Sequence, residues 1–422
     1  MTEPLLYLVH RLPYPPTKGD KVRSHHLLLH LAKRYRVFLG AFLDDPADRP
    51  YVEEVQRLCA EARVESIDRD SRRWRTVGAL LSGEPLALPY FRSATLAAWV
   101  REVVRRERIE RAIAFSSPMA QYLFDLPGVR SIVDFVDLDS AKWADYAARR
   151  PWPMSAIYGL ESRRLFAFER SLAERVDASV FVTREEAQLL SAAVPHCANR
   201  IVAIENGVDR QYFSPRQEFA SPFASGELPI VFTGSMDYWP NVDAVTWFAR
   251  EVLPAVRERA TAARFYVVGM NPDRSVQQLA KDPAVRVTGR VADVRPYLKH
   301  ASAVVAPLRV TRGIQNKVLE AMAMARPVVA TDGVARALRV RPGVDLEVAD
   351  QADAFAAKVL SVMDPSVGDA MGRRACARVE ANYAWSTNLS AFDDLLRAAA
   401  PSSPASAEDP FAHSRPVAAS AR

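Results

Sequence analysis

Short apolar runs alternate with longer stretches in which apolar positions recur every three or four residues, from one end of the chain almost to the other. Leu5–Val9 reads as a buried strand, Pro13–Asp20 as a loop and Val22–Arg34 as a helix. Further strands are predicted at Val37–Phe42, Arg111–Phe115, Ser131–Phe135, Ala178–Val182 and Ile201–Ile204, with helices at Leu96–Glu107 and Glu161–Glu174. Thr183-Arg-Glu-Glu186 has the spacing of a capping box that opens another helix. After the polar, proline-bearing stretch Tyr212–Leu228 the pattern restarts. Strands follow at Pro229–Thr233, Arg264–Val268, Val285–Thr288, Ala303–Ala306 and Pro327–Ala330, and helices at Val242–Arg257, Val294–His300 and Asn316–Met324. Asn388–Ala399 reads as a last helix, and the Pro-, Ser- and Ala-rich Pro401–Arg422, without periodicity, as a disordered tail.

Alternating strands and helices build parallel sheets through right-handed crossovers. The strands are continuous apolar runs, as in Ile230-Val-Phe232, which fits sheets covered on both faces. Two such series imply an α/β chain of two Rossmann-like domains, over residues 1–212 and 213–384. A helix at 385–399 and a tail at 400–422 complete the expected organisation.

With 422 residues, 49% hydrophobic and 25% charged, the chain has the composition of a soluble globular protein and needs no disulfide or metal staple. The net charge of +6 is a small excess that suits an anionic substrate or membrane surface, and no aromatic–basic stripe accompanies it to suggest nucleic acid. Cys59, Cys197 and Cys376 are few and far apart, as expected in a reducing cytosol. No apolar run approaches the length of a spanning helix, and the first ten residues lack the basic leader of a signal peptide. The expected location is therefore cytoplasmic. Arg69–Phe91 mixes arginines with Trp74, leucines, Tyr90 and Phe91, a candidate for contact with anionic lipid or a helix covering the first sheet.

The most informative stretch runs from Ala306 to Val329. A strand ends at Ala306, a loop carries Gly313, and a helix opens near Asn316. In open α/β sheets ligands bind beyond the carboxyl ends of strands. Amide groups of Gly313, Ile314 and Gln315, with Arg312 and Lys317 beside them, would cradle a diphosphate at the positive end of the helix dipole. Glu320, one turn after Lys317, suits the two hydroxyls of a nucleotide ribose. The competing reading is a solvated basic patch with Glu320 paired to Lys317.

These residues resemble the donor-site helix of glycosyltransferase family 4 enzymes, which have the GT-B fold: two Rossmann-like domains facing across a cleft, with a C-terminal helix crossing back to the first. Ile204-Glu-Asn-Gly-Val-Asp209 with Phe213 and Pro215 resembles the family's hinge-proximal signature, and Phe232-Thr-Gly-Ser235 its Gly-rich turn. Val287-Thr-Gly-Arg-Val-Ala-Asp-Val294 resembles the loop beside the nucleotide base. Pro13–Asp20 with Arg23, Ser24 and His25, together with Asp134–Trp143 and Thr233–Asn241, resembles the PEP-CTERM/exosortase-associated sugar transferases of exopolysaccharide synthesis.

The resemblance implies a glycosyltransferase of hexosyltransferase type. It would move a sugar from a nucleotide-diphosphate sugar to a saccharide or lipid-linked acceptor at the inner face of the membrane, with retention and without an obligatory metal or other cofactor. It assigns donor contacts to Gly234, Ser235, Arg290, Val291, Gly313, Ile314, Gln315 and Glu320, places Gly19 in a loop facing the donor phosphate, and leaves leaving-group charge to Arg312 and Lys317. Lys18, Lys21 and Arg23 lie around the Gly19 loop as further phosphate contacts. Two positions depart from the family pattern. Arg312 stands where the first of two paired glutamates is usual, and Pro240-Asn241 near where a lysine is usual.

Asp134, Asp137 and Asp139 form an acidic cluster beyond a strand. Asp137-Leu-Asp139 spells the D-x-D metal motif of the other large glycosyltransferase fold, a coincidence in a two-domain chain, so no metal site is expected. Asp137 is the candidate to orient or deprotonate an acceptor hydroxyl, ahead of His25 and His26, while Asp139 or Ser140 would cap the next helix. A non-hydrolysing nucleotide-sugar epimerase and a non-catalytic nucleotide-sugar-binding scaffold remain alternatives. The absence of a G-x-G-x-x-G turn argues against a nicotinamide oxidoreductase.

Overall fold

The computed structural model describes residues 2–16, 19–67 and 83–398. The chain divides into two compact units, one of residues 1–204 with 389–422 and the other of residues 205–388. The predicted tail at 400–422 lies outside the described residues.

The first unit holds a parallel sheet of β1 (Pro4–Val9), β2 (Arg36–Leu43), β3 (Glu61–Ser66), β4 (Arg111–Phe115), β5 (Arg130–Val136), β6 (Ala178–Phe181) and β7 (Ile201–Ala203), in the order β3-β2-β1-β4-β5-β6-β7. The chain winds outward from β1 to β3, then crosses to β4 and winds the other way. The second unit repeats this with β8 (Leu228–Thr233), β9 (Ala263–Val268), β10 (Val285–Gly289), β11 (Ala303–Ala306), β12 (Val328–Ala330) and β13 (Glu347–Val348), ordered β10-β9-β8-β11-β12-β13. In each unit the winding reverses beside the first strand, and that reversal opens a crevice at the strands' carboxyl ends.

Burial follows from the apolar runs: β1 from Leu5 to Val9, and Ile230 to Phe232 in β8, are fully covered. The edge strand β3, Glu-Ala-Arg-Val-Glu-Ser, is half-polar, and the apolar-run criterion missed it. The predicted Val242–Arg257 helix is broken into Trp239–Trp247, a wider π-helical turn at Phe248–Val252 and Leu253–Arg259. The Glu161–Glu174 helix extends over Met154–Arg175.

The segment from Glu205 joins the second unit ahead of the expected boundary at 212, because its backbone is bonded there. The Val208 N–H donates to the Tyr383 carbonyl at 2.9 Å, and Val208 bridges to Ala384. The last helix, Trp385–Arg397, passes to the first unit at Leu389. Phe392 and Leu396 are buried there, His30 and Arg34 meet Asp393 at 3.0 and 3.1 Å, and Arg111 and Arg130 bond the carbonyls of Leu396 and Leu395.

Three expected phosphate or acid groups turn out to be internal fasteners. Arg23, with no exposed surface, forks onto Asp134 at 2.8 and 3.2 Å and donates to the Ile204 carbonyl at 2.9 Å. Burial pushes the Asp134 carboxyl up, and the guanidinium opposes that shift. Lys21 is buried against Asp48. The predicted helix begins at Val22, whereas the observed helix Gly19–Ala32 also takes in Lys21, and both Lys21 and Arg23 lie on its inward side. Lys18 lies outside the described residues.

Removing one partner of such a buried pair strands the other charge. Asp134→Ala is expected to lower unfolding stability by about 3–5 kcal/mol in a denaturant titration. Arg57→Ala, which removes an exposed i,i+4 partner of Glu53, is expected to change it by less than about 0.5 kcal/mol.

Candidate active site

The second unit's crevice lies between β8 and β11. At the end of β8 the chain turns at Gly234, whose φ of 155° no side chain adopts readily. A Cβ there would stand 2.8 Å from Asn241 Nδ2 and 2.9 Å from Lys317 Nζ. Gly269, after β9, presses against the same turn, since its Cβ would fall 1.6 Å from the Gly234 carbonyl oxygen. The Gly-rich turn therefore exists to let Asn241 and Lys317 close over the backbone.

Lys317 Nζ donates to Asn241 Oδ1 at 2.7 Å and sits 4.1 Å from the centre of the Phe232 ring. Asn241 is itself oriented, its Nδ2 donating to the Ser235 carbonyl at 2.8 Å. Asn241, standing near the family's usual lysine position, thus aims the lysine that remains. Lys317 and Glu320 keep some exposed surface, yet protein surrounds both closely. Desolvation pushes Lys317 down to about 7, opposed by Glu320, and pushes Glu320 up to about 7, opposed by Lys317. An ammonium so poorly solvated gains much from a bound anion.

Lys317 lies in the first turn of the helix Asn316–Ala323, where the opening amides carry the positive end of the dipole. Gly313 supports the approach loop with φ of 64°, Ile314 is buried, and the Gln315 side chain returns to the Arg312 carbonyl at 3.2 Å. Arg312 lies in this loop. Ser235 bonds Asp237, and Arg290 and Val291 follow Gly289 (φ 67°) after β10, Arg290 exposed and Val291 half-buried.

The helix start is anchored by residues whose role the sequence pattern did not disclose. Asn206, buried, donates to Asn316 Oδ1 at 3.0 Å, and Asn388 donates to the Asn206 carbonyl at 2.9 Å. At Gly207 an added Cβ would meet the Trp385 backbone nitrogen at 2.6 Å. Asp209 accepts the Gln211 and Tyr212 N–H groups at 3.0 Å each. The Asn-Gly-Val-Asp signature is in this structure a clamp on the helix Asn316–Ala323.

In the first unit, Gly19 is exposed and opens its helix. Asp20 in its first turn is held by His10 at 3.3 Å and Arg11 at 2.7 Å. Burial would raise its pKa, but these partners keep it well below the ordinary carboxylate range. His25 lies against Tyr14 and His26 in ring contacts.

At the end of β5, Val136 has φ of 69°, a strained conformation for a β-branched residue, and Ser116 beyond the neighbouring β4 has φ of 74°. Asp137 follows Val136. Its Oδ1 is buried without a hydrogen-bond partner, and burial, with Glu186 adding to it, pushes its pKa up to about 7. Asp139 does not cap the following helix. The cap is Leu138, whose N–H is taken by Glu186, and Thr183 accepts the Glu186 N–H at the opening of the next helix. Ser140 bonds Glu169. Among the described residues no group of three or more His, Cys, Asp and Glu is placed to hold a metal.

Residues 227–364 match the family model of glycosyl transferases group 1. Comparison with curated proteins finds no match. The fold is similar to that of HepE from Anabaena, solved in complex with UDP, at 15% identity over 93% of this chain and 99% of that one, TM-score 0.66. Sucrose-phosphate synthase from Thermosynechococcus elongatus is similar at 17% identity over 94% and 98%, TM-score 0.69. WaaG, a glycosyltransferase involved in lipopolysaccharide biosynthesis, is similar at 13% identity over 94% and 100%, TM-score 0.63.

Asn206→Ala leaves the Asn316 side chain without this partner and is expected to cost about 1–3 kcal/mol in thermal or denaturant unfolding. Gly207→Ala, which forces backbone apart, is expected to cost at least as much. Two doubly wound parallel sheets give the chain a GT-B fold, and the segment that contains the Gly234 turn and Lys317 matches glycosyl transferases group 1.

Proposed function

We propose that the chain transfers a sugar from a nucleotide-diphosphate sugar to a saccharide or lipid-linked saccharide, with retention, in the synthesis of an exopolysaccharide or other cell-surface polysaccharide. The observation that carries the donor assignment is Lys317: a desolvated ammonium, aimed by Asn241, in the first turn of a helix at the crevice of the second sheet. The HepE structures with UDP and UDP-glucose support a uridine-type donor, and WaaG supports a surface-polysaccharide role.

In this reading the diphosphate meets Lys317, Arg312 and the amides of Gly313, Ile314 and Gln315. Their fixed positive charge stabilises the departing nucleoside diphosphate as the glycosidic bond breaks. Glu320 accepts the ribose hydroxyls, and Gly289–Val291 lies beside the base. In the first unit Asp137 takes the proton of the acceptor hydroxyl, a task its elevated pKa suits near neutrality. No obligatory metal is proposed, and transfer is expected to persist in a chelator. The protein acts at the cytoplasmic face of the membrane.

The test is transfer by the full chain with a panel of labelled nucleotide sugars. Lys317→Ala is expected to lower kcat/KM by roughly 100- to 1,000-fold, the size of a lost oxyanion-type contact. Unchanged transfer in Lys317→Ala and Glu320→Ala would overturn the site. Product released without any acceptor, as a rearranged nucleotide sugar, would instead indicate an epimerase.

Binding is also expected to depend on pH. The diphosphate of a nucleotide sugar is a diester and does not titrate near neutrality, so the relevant proton is on Lys317. A bound anion favours the ammonium; affinity is therefore full below pH 7 and falls above it, by up to about tenfold per unit. Calorimetry in a Glu320→Gln background isolates this titration. Lys317→Arg, which stays charged, should flatten the profile.

A further inference from the structure

We infer that Tyr212 is a binding residue for the nucleobase, its ring mounted in the second unit as a stacking platform for the base of a bound nucleoside diphosphate. The assignment rests on the proposed donor reading. It adds to that reading a residue from the segment that follows the Asn-Gly-Val-Asp clamp. Tyr212 is 41% exposed, yet its position is fixed from several directions.

The Arg295 guanidinium caps one face, 3.8 Å from the ring centre, within the range of a cation–π contact. The perpendicular Phe213 ring lies 4.9 Å away, and the hydroxyl stands 3.5 Å from Asp293 Oδ1. Arg295 is itself anchored. Asp293 takes its Nε and Nη2 at 2.6–3.0 Å, Gln217 Oε1 accepts from Nη1 at 2.8 Å, and the Phe219 ring centre is 5.1 Å away. The Tyr212 backbone is tied as well: its N–H donates to Asp209 Oδ1 at 3.0 Å and its carbonyl accepts from Arg295 Nη1 at 3.3 Å. A ring capped on one face and still partly exposed offers a flat apolar area in one orientation. A ligand that stacks there has little side-chain freedom left to freeze.

The neighbours of the ring select the ligand. Asp293 and Arg295 continue the chain from Gly289–Val291, the loop that follows β10. On another side is Glu320. Burial pushes the phenol pKa up, Asp293 adds to the rise while Arg295 opposes it, and Glu320 adds a further push, so that carboxyl lies within electrostatic reach of the hydroxyl. The ring therefore stands by the loop assigned to the base and by the carboxyl assigned to the ribose. Tyr238, the other exposed tyrosine among the described residues of this unit, belongs instead to the Gly234 turn at the phosphate end, where its carbonyl accepts the Asn241 N–H at 2.9 Å. A nucleobase presents a flat π face, and stacking on an aromatic side chain is a general source of affinity for bases.

The full chain is titrated with UDP in a calorimeter, and inorganic pyrophosphate, which lacks the nucleoside, is measured by its displacement of UDP. Tyr212→Leu is expected to weaken UDP binding by about 5- to 150-fold and to leave the pyrophosphate constant unchanged. Tyr212→Phe, which keeps the ring, should bind both ligands as the wild type does. Pyrophosphate binding doubles as the check that the variant still forms its site. Wild-type affinity for UDP in Tyr212→Leu overturns the assignment. So do equal proportional losses of UDP and pyrophosphate, which would make Tyr212 a support of the fold, and a loss of UDP affinity in Tyr212→Phe, which would make the hydroxyl the contact. UDP binding that Lys317→Ala leaves intact, or no UDP binding at all, sinks the donor reading and this role with it. Lys317-dependent binding that is indifferent to Tyr212→Leu sinks only the role given to Tyr212.

Discussion

The second unit of this protein is organised around one unfavourable act: keeping an ammonium group out of water. Lys317 is held over the Phe232 ring by Asn241, beneath a turn in which only glycine fits. Its solvation is replaced by one amide oxygen and one aromatic face, with only the charge of Glu320 opposing the loss, so the ammonium form is disfavoured. The close approach of Gly269 to Gly234 and the clamp of Asn206 on Asn316 follow from the same need for a pre-shaped, narrow pocket.

The first unit keeps its own buried charge on different terms. Arg23 is satisfied by both oxygens of Asp134 and by the Ile204 carbonyl, and it ties the first helix to β5 and to the end of the unit. One residue pair along from this stable point, the backbone at Val136 is forced into a left-handed conformation, and Asp137 follows with an unsatisfied oxygen. A satisfied pair and an unsatisfied acid thus sit side by side, the first holding the structure in which the second is elevated.

Much of the fold was legible because a covered parallel strand must be an uninterrupted apolar run, as in β1, β8 and β11. The half-polar edge strand β3 escaped because an edge needs less covering. Gly313, Lys317 and Glu320 were named from the strand–loop–helix pattern and its spacing, and the Gly234 turn from the family resemblance. Lys21 and Arg23 were misread as phosphate contacts: the sequence places a charged residue near a loop or on a helix, but the inward or outward choice depends on what packs there.

Sequence alone determined two doubly wound units and the glycine-bearing loop–helix junction after β11, since both rest on local periodicity and on glycine positions. Tertiary structure decided the rest: that Asn241 aims Lys317, that Asn206 holds the helix start, and that Tyr212 is left exposed against Arg295. These depend on residues 76 and 110 positions apart in the chain meeting in space, and on which surfaces the packing leaves uncovered. No local pattern carries that information, because burial and desolvation are properties of the assembled core.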